Sequence, residues 1–197
     1  MRLILASASP RRADLLRASG FDFEVRAADV DESVLAGEDA EAYARRVALA
    51  KARAVLPGAG GRPVLAADTV VVVDGMILGK PRDAADAARM LGLVSGRTHE
   101  VLTAVVLATG TDAPSIDTQV DRTRVEVRPL SPDEIARYVA SGEPMDKAGA
   151  YAVQGLAGRF IARLEGSYAN VVGLPVAQVE QMLKRAGLWA REFAARV

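Results

Sequence analysis

The stretch from Val64 to Val73 constrains the fold of this chain more than any other segment. It is rich in valine and almost wholly apolar, which is typical of a β-strand buried on both faces. Asp74 and Gly75 follow as a two-residue hairpin turn, and Met76–Leu78 returns as a second strand. The chain must therefore form a sheet that is covered on both faces, and Asp68 places a carboxylate inside its buried strand.

Helical and extended patterns alternate along the rest of the chain. The predicted helices are one that begins at Ser9-Pro10 and stops at Gly20, residues 40–56, residues 82–91, one capped by the box Ser131–Glu134 and ended by Gly142, and residues 175–188. The predicted strands are residues 3–6, 64–73, 76–78, 100–108, 123–128, 160–164 and 169–172. This interleaving predicts the α/β class, with a mixed sheet because hairpins interrupt the crossovers.

Length, charge and cysteine content exclude several classes of protein. The 197 residues fit a single domain, 1–197. The 25 Lys and Arg residues balance 25 Asp and Glu residues, so we expect no nucleic-acid or membrane partner, and any anion-binding surface must be local. The absence of cysteine excludes disulfides and thiolate catalysis. No apolar run suits a signal peptide or a membrane span, which favours a cytoplasmic protein.

Asp68 and its neighbour Thr69 are the first candidates for a functional site. An ionised carboxylate in a buried strand is costly unless it is paired, hydrogen-bonded or coordinated to a metal. A carboxylate there favours a nearby cation or a reacting water. The structural alternatives are an aspartate that accepts backbone N–H bonds, or a strand that ends at Ala67.

A second candidate is the helix start that contains Ser7, Arg11 and Arg12. The first turn of a helix carries unpaired N–H groups and partial positive charge, so two arginines there oppose the helix dipole. A bound anion would reverse that unfavourable term, because N–H groups, hydroxyls and guanidinium groups would all face it. The alternative is that both arginines extend into solvent or pair with acids such as Asp14.

Two lysines are weaker candidates for the functional site. Lys51 lies on the apolar face of its predicted helix, between Val47 and Val55. On its own, this position favours a side chain that extends to the edge of the face, with a charge pointing inward as the alternative. Lys80 lies between a strand and a helix, where it either lines a cleft or is a solvated loop lysine.

The segment from Gly142 to Gly155 is too irregular for a helix and too apolar for a plain surface loop. Gln154 could read the edge of a base. His99 is the only histidine, and its place at a strand entrance favours a structural role. Glu32, in an acidic pair with Asp31, could hold a metal, although such pairs in loops are usually solvated.

Taken together, these segments resemble the Maf family, the septum-formation-inhibitor-like nucleotide pyrophosphatases. The similar blocks are residues 5–16, 67–71, 79–81, 95–99 with Thr103, 146–151 with Gln154-Gly155, and 167–175. They cover nearly the whole chain in order. Residues 143–151 with Gln154 are similar to the branch that acts on dTTP and UTP. Ala152-Val153 departs from the glycine-isoleucine pair usual in that branch.

The resemblance implies an elongated α/β fold with a mixed sheet, flanking helices and two lobes around a deep cleft. This fold is shared with inosine-triphosphate pyrophosphatases, and the proteins are usually homodimers. The implied reaction is hydrolysis of dTTP or UTP between the α and β phosphates, which releases the monophosphate and pyrophosphate. The implied cofactor is a divalent cation, Mg²⁺ or Mn²⁺.

The resemblance also suggests roles for the candidate residues. The expected catalytic set is Asp68, Glu32, Lys51 and Lys80, and the expected substrate-binding set is Ser7, Arg11, Arg12, Thr69 and Gln154. The arginines and lysines would clamp the triphosphate, Ser7 would contact a phosphate oxygen, and Thr69 and Gln154 would read the base. Asp68, helped by Glu32, would hold the metal or take a proton from the attacking water, and both alternatives stay open.

Three rival functions remain at this point. A non-catalytic nucleotide-binding regulator of septum formation would keep the cationic clamp but would not need Asp68. A binder of single-stranded nucleic acid should show a basic groove with interleaved aromatic residues, which this neutral chain does not offer. A pyrophosphatase for modified nucleotides would share the chemistry, since one methyl group changes binding by only about 1–3 kcal/mol.

Overall fold

Seven strands and six α-helices make up the part of the chain that the computed structural model describes, residues 2–110 and 113–188. The strands are β1 (Leu3–Leu5), β2 (Phe23–Val25), β3 (Val64–Val73), β4 (Met76–Leu78), β5 (Thr98–Thr109), β6 (Ser115–Val127) and β7 (Ile161–Glu165). The helices are α1 (Pro10–Ala18), α2 (Ala40–Val55), α3 (Ala84–Val94), α4 (Pro132–Ala140), α5 (Tyr168–Val172) and α6 (Val176–Arg185). Short 3₁₀ segments are Leu56–Gly58, Glu143–Asp146, Ala148–Ala150 and Gly155–Phe160.

The strands form one mixed sheet in the order β2-β1-β3-β5-β6-β7, with β4 paired to β3. Strand β1 runs parallel to both β2 and β3. The pairs β3–β4, β3–β5, β5–β6 and β6–β7 are antiparallel. The predicted α/β class, mixed sheet and flanking helices are therefore confirmed.

One edge of β3 is left open in its middle. β1 pairs with residues 64–65 of β3, and β4 pairs with residues 71–73 on the same side. Between these two neighbours, Asp68 and Thr69 have no described strand beside them, while β5 pairs with β3 along its opposite edge. Because successive side chains point to opposite faces, Asp68 and Thr69 flank this gap from the two faces of the sheet.

The hydrophobic core divides into two lobes on either side of this gap. In the first lobe, α2 packs on one face of the sheet, and α1 and α6 pack on the other. In the second lobe, α3, α4 and the loop before β7 surround the far ends of β3, β5 and β6. The long central strands run through both lobes, so the middle of β3 lies where the two lobes meet.

Most predicted elements are confirmed, and one is wrong. The predicted bounds of β3 and β4 and the capping box of α4 match the structure. Residues 169–172, predicted as a strand, lie in helix α5, which begins after an N-cap at Ser167. The apolar β-branched pair Val171-Val172 favoured a strand, but the Ser167 side chain accepts the N–H of Asn170 and starts a helix instead.

Two strands differ from the sequence prediction. β6 begins at Ser115, well before the predicted start at residue 123, because its first half is polar and lacks a clear alternation. The short strand β2 was not predicted. No helix among the residues described here is long and apolar enough to cross a membrane.

Gly149 fixes the loop before β7 against the sheet, and we expect its substitution to destabilise the protein. Its φ is +69°, and a Cβ would lie 2.9 Å from Val71 side-chain atoms. Gly149→Ala should lower the free energy of unfolding by about 2–5 kcal/mol, from backbone strain and overpacking together. The measurement is urea denaturation monitored by circular dichroism.

Gly61→Ala is the matched control for this prediction. Gly61 has a φ of +78° but open space around its Cβ position, so its substitution measures only the destabilisation caused by a positive φ at alanine. Equal destabilisation by the two variants would contradict the close packing of Gly149 on Val71.

Candidate active site

A pocket of about 510 Å³ lies at the open edge of β3. It is lined by the loop after β1, by α2, by the middle of β3, by the loop after β4 and by the segment before β7. The charged side chains that line it are five cations and three acids: Arg11, Arg12, Lys51, Lys80, Lys147, Glu32, Asp68 and Asp146. The pocket thus carries a local excess of positive charge in a chain whose net charge is zero.

A buried ion pair occupies the floor of the pocket. Lys51 Nζ lies 2.8 Å from Asp68 Oδ1 and 2.7 Å from Glu32 Oε1. Both Lys51 and Asp68 are almost fully buried, whereas Glu32 is about half exposed at the pocket mouth. The expectation that Lys51 extends to the edge of its helix face is wrong, because its ammonium group is drawn inward by two carboxylates.

The environment of Asp68 opposes its ionisation. Burial raises the pKa of Asp68 above its usual range, while the charges of Lys51 and Arg12 act in the opposite direction. Oδ2 of Asp68 accepts no hydrogen bond from any residue of the described chain. A carboxylate with one oxygen fixed by an ammonium group and one oxygen free can hold and deprotonate a water molecule.

Arg12 is buried and forms the opposite wall. Its Nε donates to Gly173 O at 2.8 Å, Nη1 donates to Ser7 Oγ at 3.1 Å, and Nη2 donates to Thr69 Oγ1 at 3.0 Å. Burial lowers the pKa of Arg12, partly offset by Asp68 and Glu32. Since a guanidinium has five N–H donors, two remain for a ligand. The alternative that this arginine extends into solvent or pairs with Asp14 is wrong.

A polar network behind Arg12 connects the pocket to the second lobe. Thr69 Oγ1 lies 2.9 Å from Thr103 Oγ1, and Thr103 donates to Asn170 O on α5 at 3.1 Å. Asn170 Nδ2 donates to Val101 O at 3.0 Å and to Thr123 Oγ1 at 2.9 Å. Sequence reasoning missed Asn170, because its neighbours were interpreted as a strand.

Arg11 reaches across the pocket to the segment before β7. Its Nη1 lies 2.9 Å from Asp146 Oδ2, and Lys147 Nζ lies 2.6 Å from Asp146 Oδ1. Burial alone would raise the pKa of Asp146, but its bonds to Lys147 and Arg11 outweigh this effect and lower the pKa to about 2. Asp146 therefore bridges two cations of the pocket, one through each carboxylate oxygen.

Two of the predicted residues line the pocket without a bond to the rest of the site. Lys80 and Gln154 are exposed lining residues, and neither side chain forms a hydrogen bond or ion pair within the described ranges. Both are therefore available to a ligand. The structure thus brings all nine predicted site residues to one pocket: Ser7, Arg11, Arg12, Glu32, Lys51, Asp68, Thr69, Lys80 and Gln154.

Comparisons with known proteins identify the family of the chain. The family model described as Maf-like protein matches residues 2–186. The chain belongs to the Maf family. A protein of Anaeromyxobacter sp. (strain Fw109-5) named dTTP/UTP pyrophosphatase is 55% identical over 189 residues, which cover 94% of this chain and 90% of that protein. A Koribacter versatilis protein of the same name is 52% identical, over 95% of this chain and 96% of that protein.

The fold of this Maf-family chain is also similar to solved structures of low sequence identity. The Staphylococcus aureus Ham1 protein aligns with a TM-score of 0.53 at 16% identity, over 94% of this chain and all of that chain. This similarity concerns the fold alone. The expected fold class and family are confirmed, and the assignment of roles to individual site residues stays a prediction.

Two carboxylates of this Maf site could hold a divalent cation. No group of three or more His, Cys, Asp or Glu side chains that could hold a metal occurs within residues 2–110 and 113–188. Mg²⁺ commonly uses one or two carboxylates and takes further ligands from substrate phosphates, so Asp68 and Glu32 fit this ion only when a phosphate ligand is present. Lys51 contacts one oxygen of each carboxylate and leaves the second oxygen available.

Sequence reasoning also missed two side chains that support the Maf pocket. Tyr43 donates its hydroxyl hydrogen to Glu32 O at 2.8 Å, and burial, followed by Asp68 and Glu32, raises its pKa to about 12. Tyr151 shares a 2.6 Å hydrogen bond with His99 Nε2 below the pocket. An aromatic residue at a helical or loop position gives no signal of this kind until its partner is known.

We expect His99 to make the stability of this protein depend on pH. Burial lowers its pKa to about 4 in the folded protein, against 6.5 ordinarily. The unfolded chain binds more protons between these values, so the free energy of unfolding falls as the pH drops from about 6.5 to about 4. The slope should approach about 1.4 kcal/mol per pH unit.

The measurement is urea denaturation at several pH values between 5 and 7, for the native chain and for His99→Gln. Because His99 is the only histidine, the variant should lose the slope above pH 5, where carboxylates contribute little. An unchanged slope in the variant would contradict the buried neutral imidazole.

Proposed function

We propose that this chain is a nucleoside triphosphate pyrophosphatase that hydrolyses dTTP and UTP to the monophosphate and pyrophosphate. The observation that carries the proposal is the buried Asp68, which has one oxygen bound to Lys51 and one oxygen free, at the floor of a pocket rich in cations. The names of relatives more than 50% identical support the substrate class. We also propose that the protein is a cytoplasmic homodimer without nucleic-acid or membrane partners.

The cationic side of the pocket suits a triphosphate. Arg11 lies in the first turn of α1, next to helix N–H groups that favour an anion. Arg12 keeps two N–H donors, and Lys80 lies on the facing loop with no partner in the described chain. Phosphate oxygens would compete with Asp146 for Arg11, so that the clamp closes on the nucleotide.

The proposed chemical step is attack by water on the α phosphorus. Asp68 orients the water and accepts its proton as the new P–O bond forms. The P–O bond between the α phosphorus and the bridging oxygen breaks, and the pyrophosphate leaves with the bonding electrons. Lys51 fixes the carboxylate and keeps positive charge beside it, and the arginines stabilise the charge on the departing group.

The alternative use of the free Asp68 oxygen is to hold a divalent cation together with the free oxygen of Glu32, and Asp68 would then be a metal ligand rather than the base. When bound, Mg²⁺ or Mn²⁺ supplies charge neutralisation for the leaving pyrophosphate. The exposed position of Glu32 at the pocket mouth suits exchange of the ion with each nucleotide.

We expect Asp68→Asn to abolish most turnover. The amide keeps the shape of the side chain but is not a base, so kcat should fall about 10²- to 10⁴-fold with little change in nucleotide affinity. The measurement is pyrophosphate release from dTTP, UTP, CTP, GTP and 7-methyl-GTP, with and without Mg²⁺ or Mn²⁺.

Asp74→Asn is the matched control, because Asp74 is exposed and its φ of +50° suits asparagine. Unchanged turnover in Asp68→Asn would remove Asp68 from the mechanism. Nucleotide binding by the native chain without pyrophosphate release from any nucleotide would favour the regulator of septum formation instead. Preference for a modified pyrimidine nucleotide would keep the chemistry and change the substrate.

We expect Lys80→Ala to weaken the triphosphate clamp. Loss of one charge-assisted hydrogen bond to a phosphate should raise KM about tenfold, and the effect should shrink as the salt concentration rises. The control is Lys184→Ala, which removes an exposed lysine of α6 that pairs with Glu180 outside the pocket. Equal changes in KM for the two variants would exclude Lys80 from the clamp.

A further inference from the structure

The carboxylate of Glu143 holds the turn that presents Gln154 to the pocket. Its Oε2 accepts the backbone N–H of Leu156 at 3.0 Å, and its Oε1 lies 3.4 Å from Ala157 N. These amides belong to the first turn of the 3₁₀ segment Gly155–Phe160. Because N–H groups at the start of a helical segment need a partner, Glu143 serves as a cap supplied by a residue more than ten positions earlier.

This cap leaves the side chain of Gln154 free. Gln154 occupies the N-cap position of the same segment, yet its own side chain makes no capping bond. It is exposed, lines the pocket and has no hydrogen-bond partner among the described residues. With the cap made by Glu143, the Gln154 amide can point at a ligand instead of at its own backbone.

Gly155 shows how closely the carboxylate fits this turn. Its φ is +78°, and a Cβ on this residue would lie 2.8 Å from Glu143 Oε2 and 3.0 Å from Oε1. A side chain at this position would therefore push Glu143 away from the amides. Gly155 and Glu143 together therefore fix the backbone position from which the Gln154 side chain extends.

Glu143 is itself anchored in the core of the second lobe. The hydroxyl of Tyr138 donates to Glu143 Oε1 at 3.0 Å, and the Tyr138 ring is fully buried against Phe160. Burial, followed by the neighbouring Glu143, raises the pKa of Tyr138, so this hydroxyl stays protonated and remains a donor. The backbone oxygen of Glu143 also accepts from Lys147 Nζ at 2.6 Å, which fixes a second pocket side chain.

We propose that Glu143 is a positioning residue for base selection, acting through Gln154. The inference rests on the proposed function, in which Gln154 reads the base. Uracil and thymine offer O4 as an acceptor where cytosine offers an N4 amino donor. A glutamine amide carries both a donor and an acceptor, so discrimination between these bases requires that its position and orientation be fixed.

The test is the selectivity of Glu143→Gln, measured as the ratio of kcat/KM for dTTP to that for CTP. The variant keeps the side-chain shape but replaces one acceptor oxygen by a donor that faces backbone N–H groups. We expect the ratio to fall about tenfold, as for loss of a hydrogen bond to a charged group. Inhibition by inorganic tripolyphosphate, which has no base, should stay unchanged.

Three further variants separate positioning from general damage. Glu126→Gln changes an exposed glutamate of β6 outside the pocket and should leave the ratio unaltered. Gln154→Ala should itself reduce the ratio. The double variant Glu143→Gln/Gln154→Ala should lose no more selectivity than Gln154→Ala alone, because Glu143 acts only through the contact of Gln154 with the base.

A binding measurement distinguishes failure of this inference from failure of the proposed function. Calorimetry with the α,β-imido analogues of dUTP and dCTP reports base preference without hydrolysis. Preference for the dUTP analogue that Glu143→Gln reduces would support the inference even if the native chain released no pyrophosphate. Selectivity that survives Glu143→Gln, or that does not depend on Gln154, would overturn the inference whether or not dTTP is hydrolysed.

Discussion

The contact between Lys51 and Asp68 links the fold to the chemistry. An isolated charge at either position would be costly inside a core, so each group is tolerated because the other lies 2.8 Å away. The pair also joins α2 to the middle of β3, where the sheet has an open edge. Two further pocket residues lie beside this carboxylate: Glu32, whose backbone oxygen accepts the hydroxyl of Tyr43, and Arg12, whose charge acts on Asp68 from the far wall. The geometry that makes the pair tolerable also leaves one carboxylate oxygen free to react.

Local sequence patterns were sufficient for the elements that carry the site. The valine run, the Asp74-Gly75 turn and the apolar stripe of α2 each have one dominant interpretation, and the structure agrees with it. The prediction for helix α5 was wrong because its five residues are too few for a helical period to appear, while two valines favour a strand. The helix starts at a single serine N-cap, and this signal is weaker than the strand preference of the two valines. The first half of β6 was not predicted because it is polar: it pairs with β5 without burying an apolar face, so its sequence shows no strand pattern.

The candidate residues could be chosen from sequence, but their partners could not. Arg11 pairs with an aspartate 135 positions away, and Arg12 donates to a carbonyl 161 positions away. No periodicity or spacing rule reports contacts of that range. Position within an element allowed two outcomes for Lys51, and only the packing of α2 on β3 decides between them. The resemblance to a family selected segments whose predicted site residues line one pocket, whereas the contacts of each residue became visible only in the folded structure.

The open edge of β3 also has a mechanical consequence. Near Asp68 the sheet is narrower than on either side, because β5 alone pairs with β3 at this level. A section of a sheet with fewer hydrogen-bonded strands beside it resists bending less, and here that section joins the two lobes at Asp68. The Arg12–Thr69–Thr103–Asn170 network crosses this narrow section and acts as a polar brace between the lobes. A rotation of one lobe against the other about this section would change distances within the pocket and leave the contacts inside each hydrophobic core in place.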